Sequence, residues 1–163
     1  MMVFLLYILG FIFLVVLVSA LIGIPCLPTH RVQARKMIEL AAIKPGDTIF
    51  DLGAGHGRLL FFAAAAGAIA IGYELNPILV LYIRLRAFLY RQKNVHIHCR
   101  SLFTADTKNA DTVFCFLFPK YMAKLEDKLF SEMKPGAKII AYVFPFPHKK
   151  HALKTEGVFV YRV

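Results

Sequence analysis

Short apolar runs alternate with stretches of helical periodicity along this chain, and the alternation predicts an ordered series of strands and helices. Apolar runs bounded by turn residues predict strands over Thr48–Asp51, Ala68–Glu74, Val95–Cys99, Asp111–Phe118 and Ala137–Phe144, with a last edge strand over Gly157–Arg162. Helical spacing predicts helices over His30–Ala42, from the glycine-rich segment to about Ala66, from Asn76 to about Arg91, and over Tyr121–Met133. This order favours an α/β, Rossmann-like fold, in which a mostly parallel sheet carries helices on both faces.

The first of these helices is predicted to begin at an N-cap and to bury one face. Thr29 is the capping residue that we expect, because its side-chain oxygen can accept a hydrogen bond from the first turn. Val32, Met37, Ile38 and Ala41 recur at near-helical spacing, so they form the expected buried face.

The chain opens on a long apolar stretch. From Met1 to His30 it contains no Lys, Arg, Asp or Glu, and about 20 apolar residues suffice to span a bilayer. A cleaved signal peptide would have a basic start and an apolar core of roughly 7–15 residues, and this chain shows neither feature. Ser19-Ala20 nevertheless resembles a cleavage site, which keeps a signal peptide as the alternative. The pattern favours a transmembrane anchor over residues 1–25, followed by a domain over residues 26–163.

Basic residues follow the apolar stretch at once and predict its orientation. Arg31, Arg35 and Lys36 come directly after it, and nothing charged precedes it. Positive charge is retained on the cytoplasmic side of membranes. We therefore expect a single-pass membrane protein whose domain faces the cytoplasm, or the matrix side in an organelle.

The net charge of +10 lies entirely beyond the apolar stretch. Anionic lipid, nucleic acid, or a solvated surface with a basic bias would each account for it. The basic residues are scattered, and no basic run is interleaved with stacking aromatic residues. We therefore expect membrane lipid as a partner, and no nucleic acid.

The chemistry concentrates at the ends of the first two predicted strands. Asp51-Leu52-Gly53-Ala54-Gly55-His56-Gly57 links a strand to a helix, and Glu74 ends the next strand. A glycine loop lets a ligand approach the backbone, and an acid one strand over can bind ribose hydroxyls. The simplest alternative for a glycine loop by itself is a tight strand–helix turn, but the loop together with both acids and the alternating elements favours an adenosine-containing ligand.

The glycine spacing narrows the choice of ligand. Dinucleotide sites use Gly-x-Gly-x-x-Gly, whereas here the third glycine, Gly57, arrives one position early, and no Gly-Lys-Ser/Thr of a phosphate loop follows. An adenosine without phosphates fits, which predicts S-adenosylmethionine. Its amino-acid end would lie against the backbone of Gly53, Ala54, Gly55 and Gly57 with its amino group near Asp51, its ribose on Glu74, and its adenine against Leu75 and Leu102.

At this point the chain resembles a known family. Asp51–Gly57 and Gly72-Tyr73-Glu74-Leu75-Asn76-Pro77 resemble the first two motifs of class I S-adenosylmethionine-dependent methyltransferases. The chain is similar in particular to the membrane-anchored protein-lysine methyltransferases whose eukaryotic members act on the ATP synthase c-subunit and the adenine nucleotide translocase. It shares their apolar N-terminal span, the Pro-rich join Ile24–Thr29 and the Phe-Pro-Phe-Pro run Phe144–Pro147, and the resemblance extends to about His148.

Two residues depart from the pattern of that family. His56 stands where the family usually has an acid, and Ser101 stands near the end of the third strand, where an Asp often contacts the adenine amino group. The resemblance therefore implies that Ser101 is a cofactor contact, with a weaker hydrogen bond than an acid would give.

The acceptor side is predicted after the fourth and fifth strands. Aromatic and Pro-rich segments there would form a narrow dry channel, although Phe144–Pro147 could equally be a structural turn and Tyr121 a helix-start residue; the candidates are Phe118, Pro119, Tyr121, Phe144, Pro145 and Phe146. No catalytic base is assigned, because methyl transfer depends mainly on proximity and alignment. Leu117-Phe118-Pro119-Lys120 lacks the Asn or Asp of DNA amino-methyltransferases, which argues against base methylation.

We expect no metal site. His96 and His98 share a strand face without a completing acid or thiol, and Cys26, Cys99 and Cys115 are odd in number and widely spaced. The sequence as a whole indicates a membrane-anchored methyltransferase that uses S-adenosylmethionine to methylate a lysine of a membrane-associated protein. Methylation of a lipid or small molecule, or a non-catalytic cofactor-binding or assembly role, are the alternatives.

Overall fold

A computed structural model describes residues 4–8, 10 and 29–163. Residues 4–8 and 10 are helical and exposed. The elements that follow are, in chain order, α1 (Arg31–Ala41), β1 (Thr48–Leu52), α2 (Arg58–Ala65), β2 (Ile69–Glu74), α3 (Pro77–Leu89), β3 (Val95–Cys99), the 3-10 helix η1 (Leu102–Thr104), β4 (Thr112–Cys115), α4 (Pro119–Glu132), β5 (Lys138–Tyr142), β6 (Leu153–Thr155) and β7 (Val158–Arg162).

These strands form one sheet of seven, in the order β3-β2-β1-β4-β5-β7-β6. The first five pair in parallel, and β7 pairs antiparallel with both β5 and β6. The predicted α/β fold with a mostly parallel sheet is therefore confirmed. The predicted place of the last strand at the edge is wrong: β7 lies inside the sheet, because the three-residue β6 pairs along its outer side.

Helices cover both faces of the sheet, as predicted. On one face α1, α2 and α3 bury Met37, Leu60 and Ile83 against the strands, and on the other α4 buries Leu125 and Leu129. The strands between them are apolar on both sides, as in other parallel sheets. The carboxyl ends of β1 to β5 consequently meet at one edge of the sheet.

Helix α1 differs from its prediction at its start and on its buried face. Its N-cap is His30, which makes no side-chain capping hydrogen bond, so the prediction that Thr29 is the cap is wrong. The Thr29 carbonyl instead accepts a hydrogen bond from the Arg58 guanidinium. Val32 is 67% exposed, and the buried residues are Ala34, Met37 and Ala41.

Nothing in the described part of the chain is both helical and long and apolar enough to cross a bilayer. The predicted anchor over residues 1–25 lies mostly outside the described residues.

Candidate cofactor and acceptor site

The loop after β1 folds back onto the end of β2. The N–H groups of Gly53 and Ala54 both donate to the Tyr73 carbonyl, at 2.9 and 3.0 Å, and the Gly57 N–H donates to the Ala54 carbonyl at 2.7 Å. Gly53, Gly55 and Gly57 all have positive φ, at 94°, 54° and 71°. Three left-handed residues in five explain why the loop needs glycine, because other residues adopt that conformation only at a cost.

Gly57 has a further reason to be glycine. A Cβ there would lie 2.9 Å from Cγ1 of Ile83, which belongs to α3. The early third glycine of the sequence pattern therefore marks the point at which α3 packs over the loop.

Glu74 joins the loops that follow β1 and β2. One of its carboxylate oxygens accepts a hydrogen bond from the Gly55 N–H and the other accepts one from the Asn76 N–H, each at 2.9 Å. A carboxylate offers about four acceptor positions, so both oxygens can accept a further bond from a ligand hydroxyl. The side chain is thus held in place and still has the capacity expected of a ribose contact.

Asp51 is a carboxylate in an unusual environment. It is only 5% exposed, and burial, followed by the negative charge of Glu74, raises its pKa to about 7. Among the residues that the structure describes, none donates a hydrogen bond to this carboxylate. A buried acceptor of this kind fits a ligand that brings a cationic or donating group, such as the amino group of S-adenosylmethionine.

The segments after β2 and β3 hold the residues predicted to contact adenine. Cys99 and Leu75 connect them, with 3.8 Å between the Cys99 thiol and the Leu75 carbonyl. Leu75 is half exposed and Leu102 is partly buried. The Ser101 hydroxyl accepts a hydrogen bond from the Phe103 N–H at 3.4 Å as the N-cap of η1. All of the predicted cofactor residues therefore lie at the carboxyl edge of β1, β2 and β3, which we call the cofactor edge.

A cluster of aromatic rings lies beside this edge, after β4 and β5. The Phe118 and Phe144 rings are 6.3 Å apart, and Phe116 lies 6.5 Å from Phe144 and 5.0 Å from Tyr142. We call Phe116, Phe118, Tyr142 and Phe144 the ring cluster. Two of its members, Phe116 and Tyr142, are not among the predicted site residues, because their positions within an apolar run indicate only core packing.

The ring cluster is held by a strained turn. Val143 has a φ of 68°, and the Phe144 N–H donates to the Tyr142 carbonyl at 2.9 Å across it. This geometry is a γ-turn of the rare left-handed kind, and positive φ is especially costly for a β-branched residue. Strain of this type costs of the order of 1–3 kcal/mol and concentrates at functional sites.

The remaining acceptor candidates have different environments. Phe146 is only 4% exposed, its N–H donates to the Tyr161 hydroxyl at 2.9 Å, and their rings lie 4.8 Å apart. The expectation that Phe146 faces a channel is therefore corrected, because Phe146 packs in the core against Tyr161. Pro119 and Pro145 are exposed, and Tyr121 is partly buried in the first turn of α4, 6.4 Å from Phe103.

The histidines singled out in the sequence lie on β3 and in the glycine loop. His96 and His98 are exposed on β3, and the His98 ring is 5.0 Å from Tyr73. The His56 ring is 6.1 Å from Tyr82 of α3. Within the described ranges, no three His, Cys, Asp or Glu side chains are grouped as a metal site.

Comparison with known proteins identifies the family. The model of the ANTKMT methyltransferase domain matches residues 51–152, the segment that holds the glycine loop, Glu74 and the ring cluster. The ATP synthase c-subunit lysine N-methyltransferase of Xenopus laevis is 36% identical over 129 residues, which are 77% of this chain and 55% of that protein. The chain thus spans about half the length of this curated relative.

Two further relatives are covered more completely. A protein-lysine N-methyltransferase of Saccharolobus islandicus is 30% identical over 143 residues, which are 82% of this chain and 86% of that protein. The crystal structure of an RNA methyltransferase from Salinibacter ruber in complex with S-adenosylhomocysteine superposes with a TM-score of 0.77 and 31% identity, and covers 83% of this chain and 92% of that one.

The comparisons and the geometry of the site agree on the cofactor. The demethylated cofactor in the Salinibacter ruber structure, together with the family match, indicates S-adenosylmethionine as the cofactor. The chain belongs to the family of the ANTKMT methyltransferase domain and has the fold of the S-adenosylmethionine-dependent methyltransferases.

Proposed function

We propose that this chain transfers a methyl group from S-adenosylmethionine to a lysine of a membrane-associated protein. The observation that carries the proposal is the family match over residues 51–152, because that one segment contains the cofactor edge and the ring cluster together. Relatives named as protein-lysine N-methyltransferases support lysine as the acceptor.

The residues of the cofactor edge have distinct roles in this proposal. Asp51 holds the amino group of the cofactor, Glu74 the ribose hydroxyls, and Leu75 and Leu102 the adenine, with the Ser101 hydroxyl nearby. The backbone of the glycine loop supports the amino-acid end. When bound, S-adenosylmethionine supplies an electrophilic methyl group on a positively charged sulfur.

The ring cluster has a separate role, which is to prepare the acceptor. A lysine attacks only as the neutral amine, and its unperturbed pKa is about 10.4. Apolar rings around the amine remove water and lower that pKa, because desolvation penalises the charged form. Phe118 and Phe144, 6.3 Å apart, provide such surroundings on two different loops. Alignment in a dry channel then takes the place of a strong general base.

Membrane attachment would bring this site to its substrate. The apolar, uncharged sequence of residues 1–25 supports a single transmembrane anchor. Arg31, Arg35 and Lys36 after it support a domain on the cytoplasmic or matrix side. Confining enzyme and substrate to one surface raises their effective concentration without any new contact.

RNA methylation is a second candidate function. The Salinibacter ruber neighbour is described as an RNA methyltransferase, and the net charge of +10 would favour a polyanion. Two features favour lysine instead: the basic residues are scattered, and the Leu117-Phe118-Pro119-Lys120 segment lacks the Asn or Asp that base-amino methylation uses.

The test is to follow the label. Membranes and ribosome-containing extract from a strain that lacks the protein are incubated with the full chain and S-adenosylmethionine carrying a labelled methyl group, then separated into protein, lipid and RNA. Label in membrane protein is expected. Label in the lipid extract or in RNA would refute the lysine proposal, and the Glu74→Ala variant gives the background.

A further inference from the structure

Helix α3 presents a large apolar face to solvent. Ile78, Leu81, Leu85 and Phe88 are 45%, 67%, 54% and 79% exposed, and their spacing of three or four residues places them on one side of the helix. Further exposed apolar side chains on or next to this side are Tyr82, Leu89 and Tyr90. We call these seven residues the α3 face. The opposite side of the helix buries Val80 and Ile83 in the core.

The sequence of α3 and of the segment after it carries only positive charge. Between Glu74 and Asp106 the sequence contains no acidic residue, and its basic residues are Arg84, Arg86, Arg91, Lys93 and Arg100. Arg84 and Arg86 are partly engaged, since Arg84 donates to the Ile97 carbonyl and Arg86 lies 4.1 Å above the Phe61 ring. Arg91, Lys93 and Arg100 are exposed.

The α3 face also lies near the end of the apolar N-terminal sequence. Tyr82 contacts His56 in the glycine loop, and Ile83 packs over Gly57. Arg58, the next residue, donates a hydrogen bond to the Thr29 carbonyl, and Thr29 lies at the end of the uncharged stretch. Helix α3, the glycine loop and the end of that stretch therefore lie close together.

We propose that the α3 face docks on an anionic lipid surface. Exposed apolar side chains can insert at the boundary between head groups and acyl chains, and anionic head groups attract basic residues near the surface. The docking would hold the cofactor edge beside the bilayer, because α3 begins directly after Glu74 and Asn76. The proposal goes beyond the methyl-transfer function and does not depend on the acceptor.

The basic residues near the α3 face favour anionic lipid over the chain's own N-terminal segment or a second copy of the chain. The chain's own residues 1–28 could cover an apolar face, but they contain no acid that would pair with Arg91 and Lys93. A second copy docked through the same face would bring two sets of like charges together, since a two-fold interface uses one patch twice.

The absence of tryptophan from the sequence provides the test. Phe88→Trp places a single reporter on the α3 face, and Leu153→Trp is the matched control, because Leu153 is also exposed, at 46%, but lies on β6 at the opposite edge of the sheet. The full chain is reconstituted into phosphatidylcholine vesicles with roughly 30% phosphatidylserine, with and without brominated acyl chains. Both variants are first checked for binding of S-adenosylhomocysteine, which shows that they are folded.

We expect Phe88→Trp emission to move to shorter wavelength and to be quenched by brominated lipid, while Leu153→Trp is not quenched. Equal quenching of the two variants would overturn the proposal. Short-wavelength emission of Phe88→Trp without quenching would also overturn it, because a protein segment or a second copy would then cover the face.

A second pair of variants tests the role of charge. Arg91→Asn with Lys93→Gln, added to Phe88→Trp, should reduce the quenching on phosphatidylserine vesicles. Asparagine is chosen because Arg91 has a φ of 51°, which Asn tolerates. Lys149→Gln with Lys150→Gln removes the same charge from an exposed loop after β5 and should leave the quenching unchanged. Quenching that is insensitive to Arg91 and Lys93, or equal on neutral vesicles, would overturn the anionic assignment.

Discussion

Replacement of Glu74 by alanine should weaken binding of S-adenosylhomocysteine strongly. The variant loses the carboxylate that we assign to the ribose, and it releases the Gly55 and Asn76 N–H groups that the carboxylate holds at 2.9 Å. A hydrogen bond to a charged group contributes about 1.5–3 kcal/mol. Loss of a single ribose contact then corresponds to a roughly 10- to 150-fold higher Kd, at about 1.4 kcal/mol per tenfold.

The same substitution should change the stability of the fold much less. The two hydrogen bonds are part-buried, so water can replace some of them. Removal of Glu74 also relieves Asp51, because the charge of Glu74 is the second cause of the raised Asp51 pKa. The stability gained at Asp51 therefore offsets part of the stability lost with the two hydrogen bonds of the loop.

Calorimetric titration of the full chain with S-adenosylhomocysteine measures the effect directly. Glu39→Ala is the control, because the Glu39 side chain is 70% exposed in an ion pair with Lys36 on α1, and such pairs contribute about 0–1 kcal/mol. If Glu74→Ala binds within about twofold of the unmodified chain, Glu74 does not hold the ribose. A large fall in thermal stability together with lost binding would place its role in the loop alone.

Three further predictions concern single residues. The pKa of Asp51 is raised to about 7, so affinity for S-adenosylhomocysteine should increase as pH rises through about 7, and Asp51→Asn should abolish this dependence. Without ligand, the free energy of unfolding should fall as pH rises from 3.8 to about 7, because over that range the folded protein binds a proton that the unfolded chain releases. Gly57→Ala should lower the melting temperature more than Gly46→Ala, because both have positive φ but only the first would contact Ile83, at 2.9 Å; equal shifts would contradict the packing argument. Val143→Gly should keep or raise the melting temperature by relieving a φ of 68° and should reduce methyl transfer; full activity would show that the strained turn is not needed.

The order of the elements can be predicted from the sequence because the apolar runs and turns are local features. The glycine loop and Glu74 are recognisable for the same reason: each lies at a strand end, and parallel strands bring their ends to one edge. The direct hydrogen bond from Gly55 to Glu74 follows from that arrangement.

The predictions that fail depend on tertiary packing. The position of β7 inside the sheet depends on β6, a strand of three mostly exposed residues without an apolar signal. Phe144 and Phe146 belong to one Phe-Pro-Phe-Pro run, which follows a left-handed residue at Val143. Phe144 nevertheless lies in the ring cluster, whereas Phe146 packs against Tyr161 in the core. Phe116 was not predicted as a site residue, because its ring contact with Phe144 joins two segments that are distant in the sequence.

The identity of the methylated group tests the central claim most directly. Protein labelled by the full chain with S-adenosylmethionine is recovered from membranes, hydrolysed to amino acids and separated by chromatography. The account predicts that the label co-migrates with methylated lysine and is lost with Glu74→Ala. Label in methylarginine, methylhistidine or an ester that does not survive hydrolysis would contradict it.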